Sequence, residues 1–340
     1  MLAKKVQGAG GVGGAAGSGY LLACVGSFYD DMVTIDVSNP ASMSGVFALG
    51  GFENPSLVNP DPADSVAIVT DADNVSPFDY VKSVDISDPL NTSILDSFQP
   101  PVFNIYADTD VVNKVYYSAQ GSNSFLAVDY SNPSSLSTLY WSYGVTAPYN
   151  GQNVRADPVN DIVIVISGGG SPTNGAFFVI DVSTPSSPSV VGSLLVSGEN
   201  FWGLALDTAN KIAYVSSQIT DKLFKISYST PSSPSVVSSA TSTYFDTRNI
   251  AYNASQGVLY LSSNTNYFSA ISTSLVRLDS VTIGTTAWFL GLDIDETAEV
   301  AYVGTGVGLT SVDISDPNNL SVISTYAGTG YYPPTKPRLI

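Results

Sequence analysis

The chain has 340 residues, 44% of them hydrophobic and only 12% charged, and its net charge is −17. A field of that sign repels phosphate backbones and anionic lipid, so nucleic-acid binding and membrane adsorption are disfavoured. The chain has no histidine, which excludes His-dependent triads and the commonest metal ligand, and its one cysteine, Cys24, can form neither an intramolecular disulfide nor a thiolate metal site.

In chain order, residues 1–10 read as an N-terminal arm. Lys4 and Lys5 precede a Gly/Ala run that lacks the apolar core of a signal peptide, and Leu21 to Cys24, which mimic a lipoprotein cleavage site, fall inside a repeat. No stretch reaches the roughly 18–20 apolar residues of a membrane span. Residues 11–15 read as the first strand of a first unit, 17–19 as its turn and 20–25 as its second strand.

From there one phrase recurs. It reads Ile35-Asp36-Val37-Ser38-Asn39-Pro40, then Val84-Asp85-Ile86-Ser87-Asp88-Pro89, then Val128-Asp129-Tyr130-Ser131-Asn132-Pro133. It returns as Ile180-Asp181-Val182-Ser183-Thr184-Pro185, Ile226-Ser227-Tyr228-Ser229-Thr230-Pro231 and Val312-Asp313-Ile314-Ser315-Asp316-Pro317, with a degenerate copy at Ile271-Ser272-Thr273-Ser274. The anchors at 36, 85, 129, 181, 227, 272 and 313 are spaced about 46 residues apart, the size of a four-stranded propeller blade. The fifth unit parses most clearly, with strands A, B, C and D expected over 203–206, 211–216, 222–228 and 234–240 from alternating apolar residues and turn chemistry. The expected fold is therefore all-β: a seven-bladed β-propeller of four-stranded antiparallel blades over residues 11–330, with 331–340 as a C-terminal tail. Either the segment 3–6 or the tail near Tyr331 is available to complete the last blade.

The phrase has a physical reason. Asp or Ser ends a strand, Asn, Asp or Thr opens the turn with a side-chain acceptor, and Pro fixes φ at the next position. The repeated aspartates are read as turn caps and not as a ring of cation ligands, because Ser227 and Ser272 replace Asp without disturbing the frame. The phrase resembles the LVIVD-repeat family over roughly residues 20–330, the sixth unit departing from the pattern by lacking the Asp and Pro. The resemblance implies a β-propeller, often in cell-surface or extracellular proteins, and no defined activity or catalytic residues.

In a propeller the A–B and C–D turns share one face and the B–C and D–A loops the other. Here the first set is regular, while the second varies between units and carries the large aromatics, among them Phe201 and Tyr244 with Phe245. Trp141, Tyr143, Trp202 and Trp288 are the expected ligand-binding residues, since aromatics beside Ser and Asn suit glycan or protein recognition. The competing reading is that bulky residues entering strand A wedge between blades.

Other motifs carry less. A calcium loop begun at Asp71 places Ser76 where Gly is needed and Lys82 where Glu is needed. Asp293 and Asp295 share one strand face, Asp295 being the aligned turn residue. The glycine runs at 11–14 and 168–170 lack the helix and Lys of a phosphate cradle. The expectation is thus no metal, no cofactor and no catalysis: a structural or adhesion propeller on a surface, foremost a virion component such as a phage head decoration or tail-associated protein. Other protein subunits, and glycans, are its expected partners. A cell-surface or periplasmic carbohydrate- or protein-binding propeller comes next, and a carboxylate-based glycoside hydrolase or lyase third.

Overall fold

The computed structural model describes residues 19–25, 31–71, 80–100, 106–119, 124–145, 151–168, 174–263, 266–284, 291–305, 308–327 and 335–340. These form seven four-stranded antiparallel sheets and no helix. The first strands of successive sheets, β4 (Pro55–Asp61), β8 (Tyr106–Asp110), β12 (Gly151–Asp157), β16 (Phe201–Asp207), β20 (Thr247–Asn253), β24 (Leu292–Asp295) and β28 (Thr335–Leu339), pack against one another and form the inner ring of a seven-bladed propeller. In the fifth blade the strands are Phe201–Asp207, Ile212–Ser217, Lys222–Ser227 and Ser235–Thr241, close to the expected bounds.

Closure is made by the C-terminus. β28 pairs with β1 (Tyr20–Val25) as the inner strand of the first blade. The expected tail over 331–340 therefore contains a blade strand. The inner edge of β1 is taken by β28, and residues 11–15, expected as a strand there, and the arm over 1–10 lie outside the described residues. Pro337 is accommodated because it falls where two residues of β28 face one of β1, at a register irregularity on an inner edge.

The core is divided as the blades are. Seven apolar clusters each join two neighbouring blades, such as Val154, Phe178 and Tyr117 between the third and fourth and Leu204, Phe224 and Ile166 between the fourth and fifth. Alternation explains this, because successive side chains of a strand face opposite neighbours. The ring seam is no weaker. Tyr302 and Ser311 of the last blade donate to the Val37 and Pro40 carbonyls of the first.

Candidate functional site

The turn face is a repeated device. Asp36, Asp85, Asp129, Asp181 and Asp313 each accept the backbone N–H two residues on, at 2.8–2.9 Å. Asn39, Asp88, Asn132 and Asp316 do the same one step later. On the A–B side Asp110, Asp157 and Asp207 each accept from the backbone and the side-chain amide of an Asn three residues on. Tyrosines then tie blades together: the Tyr228 hydroxyl donates to Asp157 at 2.9 Å and that of Tyr130 to Asp61 at 3.2 Å, each reaching the preceding blade. Burial pushes the Asp157 carboxyl up, against the hydrogen bonds from Asn160 and Tyr228. Burial, with the Asp207 carboxylate beside it, pushes the Tyr252 hydroxyl up to about 12. These carboxylates are consumed by the fold.

The loop face is built differently. Where the inner strands enter from that face, the ladder is interrupted in five blades. One residue is extra at Ser56, Gln152 and Arg248, and two residues face one at Trp202–Gly203 and at Lys336–Pro337. Such bulges re-aim the chain and are over-represented beside active sites.

Three of these bulges are joined by hydrogen bonds. The Asn153 amide donates to the Trp202 carbonyl at 3.2 Å, linking the fourth blade to the fifth. The Ser216 hydroxyl accepts from Gly203 N–H at 2.9 Å and donates to the Thr247 carbonyl at 2.5 Å, linking the fifth to the sixth. Asn153 also orients Arg155: the guanidinium Nη1 donates to Asn153 Oδ1 at 3.1 Å and to the Val154 carbonyl at 2.8 Å. These two acceptors help to fix the direction of this half-buried cation.

The D–A connection that delivers Trp202 is itself anchored. Glu199, only 3% exposed, accepts from Lys222 at 2.7 Å and from Thr220 and Ser217. Burial would raise its carboxyl, but those donors and the Lys222 charge bring it below the ordinary range. The second blade has a counterpart. Buried Lys82 donates to Asp71 and to the Gly51 carbonyl, both at 2.6 Å, and Asp71 accepts from Glu53 and Asn54 N–H.

Just inside the bulges lies a polar level. The inner-strand residues paired with the third residue of each neighbouring strand are Asn59, Asp108, Arg155, Ala205, Ala251, Asp293 and Arg338. Asp108 accepts from Ala156 N–H of the next blade at 3.1 Å. Asn59 is 2% exposed and both polar atoms of its amide lack a partner among the described residues.

The residues expected to bind ligand are not gathered in one place. Trp141 and Tyr143 make an edge-on pair, ring centroids 4.9 Å apart, at the end of the outermost strand Ser137–Ser142 of the third blade. Both are exposed. Trp202 is half-buried on the innermost strand of the fifth blade, and Trp288 lies outside the described residues. Trp141 and Trp202 are strand residues and not loop residues, as their β-propensity favours. Phe201 and Phe245 are buried between blades, as wedges. Arg155, Asn153 and the bulges escaped the sequence reading. Aligning the units would have marked Arg155, which stands where blades five and six carry alanine, two residues before the turn. Among the described residues no three carboxylate or thiol groups converge as metal ligands.

Comparison with known proteins adds three findings. The LVIVD repeat matches residues 19–49, 111–143, 171–196 and 299–328. No curated protein matches the chain in sequence. Solved structures share the fold: a protein from Lactobacillus plantarum (TM-score 0.79, 14% identity, 94% of this chain and 99% of that one); a candidate 6-phosphogluconolactonase from Bacteroides uniformis (0.78, 11%, 94% and 99%); and the periplasmic gluconolactonase of Pseudomonas aeruginosa (0.76, 12%, 94% and 98%).

These neighbours overturn the expectation of a non-catalytic structural or adhesion scaffold. Two structures that share this fold over 94% of the chain carry the names 6-phosphogluconolactonase and gluconolactonase. Lacking histidine excludes His-dependent chemistry only, and carboxylates such as Asp108 and Asp293 still stand on the inner strands. The chain is a seven-bladed β-propeller that carries LVIVD repeats.

Proposed function

We propose that the protein is a lactonase-like hydrolase that opens sugar-acid lactones at the loop-side mouth of its central channel. The observation that carries this reading is the hydrogen-bonded arc of bulges in blades four to six, which holds Arg155, Asn153 and Trp202 in fixed geometry. A site held rigidly by its own second layer of bonds is what positioning of a substrate needs. The names of the structurally similar lactonases agree with it.

A lactone is an activated ester. Water adds to its acyl carbon, the ring C–O bond breaks, and the proton lost by water goes through a base to the departing ring oxygen. Asp108 and Asp293 are the inner-ring carboxylates that do not cap A–B turns, and one of them takes that proton. Trp202 offers an apolar face to a sugar ring, and Arg155 anchors the substrate.

The test is hydrolysis of a panel of aldonolactones, followed by acid release against the spontaneous rate. The purified chain should exceed that rate, and either Asp108→Asn or Asp293→Asn should lower kcat by about a hundredfold or more. Turnover no faster than the blank, or unchanged in both variants, overturns the reading.

A further inference from the structure

We propose that the outer flank between the fifth and sixth blades binds an acidic sugar unit, a uronate of an oligosaccharide, through Arg277, Tyr244 and Tyr267. The site lies on the outermost strand of the sixth blade, Arg277–Thr282, and not on the inner ring, so it does not need the hydrolase reading.

The sixth unit is where the repeat departs from its pattern. Its turn takes six steps between the paired residues Ile271 and Arg277, where that of the third blade takes ten between Val128 and Thr138. The short turn leaves the neighbouring flank of the fifth blade bare. In the second, sixth and seventh blades the extra residue of the outer bulge packs beside the turn of the next blade: Leu95 with Leu136, Leu278 with Leu320 and Ile323 with Met43. The same residue in the fifth blade, Val237, is 55% exposed. The short turn also sets Arg277 at a register that the other blades give to Gly45, Ile94, Thr138, Val190, Val236 and Val322, none of them charged.

On this flank the guanidinium of Arg277 lies over the Tyr244 ring, 4.3 Å from its centroid, and Tyr244 meets Tyr267 edge-on with centroids 5.1 Å apart. One cation and two rings thus form a single patch, and Arg277 and Tyr267 are both exposed. Arg277 Nη1 donates to Ser280 Oγ at 3.0 Å, and among the described residues no carboxylate pairs with it. Asp279 is turned to the opposite flank, where it accepts Leu320 N–H of the seventh blade at 2.7 Å. In a chain with 12 Lys and Arg against 29 Asp and Glu, cations are readily paired, as Lys82, Lys114 and Lys222 are. A ring beneath a guanidinium holds it without consuming its N–H groups, and their planar fork matches a carboxylate. The Tyr267 ring beside it offers an apolar face to the sugar that carries that carboxylate. The net negative charge of the chain does not forbid this, because its repulsion is screened beyond about 8 Å at physiological salt while the fork acts at contact.

The experiment is calorimetric titration of the full chain, at physiological salt, with trigalacturonate and with its fully methyl-esterified form. The acid should bind, and the ester, which keeps the rings and loses the charge, should bind about tenfold more weakly or worse. Arg277→Gln and Tyr267→Ala should each weaken the acid by about tenfold while melting as the parent does. Lys211→Gln, in the A–B turn of the fifth blade, should leave binding unchanged, and so should saturation with an aldonolactone. No binding of the acid, an ester that binds as tightly, either flank variant binding as the parent does, or displacement by the lactone overturns the inference. Arg277→Gln should turn over lactones at the parental rate. Uronate binding without lactone turnover therefore removes the hydrolase reading and leaves this site, and turnover without uronate binding does the opposite.

Discussion

The two faces of the ring solve one problem in opposite ways. On the turn face every outer ladder bulges at an equivalent place, between Thr34 and Ile35 in the first blade, Ser83 and Val84 in the second, and likewise through Ser311 and Val312 in the last. The residues that cap those turns are nearly interchangeable. On the loop face the inner ladders bulge in five blades, and the residues involved, Ser56, Gln152, Trp202, Arg248 and Lys336, follow no common pattern. The difference teaches where to look. What recurs in each blade keeps the blade, and what is peculiar to one blade is free to serve a ligand.

The strongest way to break that comparison is to remove the one blade strand that comes from the other end of the chain. Deleting residues 335–340 takes away β28 and bares the edge of β1, whose Leu21, Leu22, Ala23 and Cys24 are wholly buried. Backbone groups of β1 then lose their partners, and the cluster between the first and second blades loses Ile340. The expected outcome is loss of a single cooperative unfolding transition, read by circular dichroism during a urea titration. A deletion that melts as the full chain does would show that the ring is closed by something else.

The two buried ion pairs of the loop face come next. Lys82→Met leaves Asp71 inside, held only by the N–H groups of Glu53 and Asn54, and should cost about 3–5 kcal/mol in urea unfolding. Adding Asp71→Asn should recover part of that, since the stranded charge is what is costly. Lys222→Met should cost less, because the Lys222 side chain is 36% exposed and Thr220 and Ser217 still serve Glu199. Equal losses in the two blades would mean that the exposure of Lys222 does not lower the cost of breaking its pair.

Much of the fold was legible because propeller blades repeat, and repetition multiplies weak local signals. The phrase around Asp36, Asp85 and Asp129 set the blade count and the turn chemistry, and the fifth blade's strands fell within a residue or two of their expected ends. Closure was not legible. Residues 11–15 are rich in glycine and β28 holds a proline, so neither shows the alternation that marks a strand, and only long-range pairing decides between them. The site was hidden for a related reason. A bulge shifts a side chain by one position without altering the sequence pattern, and Asn153 meets Trp202 across 49 residues. Trp202 stands out in the sequence as an aromatic in a D–A connection, but its neighbours Arg155 and Asn153 look like ordinary polar strand residues.

The smallest effect sharpens the comparison from the turn side. Asp85 accepts from Ser87 N–H at 2.8 Å in an exposed turn. A serine in its place keeps an oxygen that can accept the same N–H, as Ser227 does from Ser229 at 3.3 Å in the fifth blade. Asp85→Ser should therefore shift stability by no more than about 0.5 kcal/mol, the range of surface substitutions that leave no buried group stranded. Tyr228→Phe, on the same face, should cost about 0.5–1.5 kcal/mol, because it removes a buried hydrogen bond to Asp157 that Asn160 only partly replaces. Both are read from urea midpoints at fixed slope. If Asp85→Ser proved as costly as Tyr228→Phe, the capping aspartates would be doing more than closing turns, and the division between a face that keeps the blades and a face that serves a ligand would have to be redrawn.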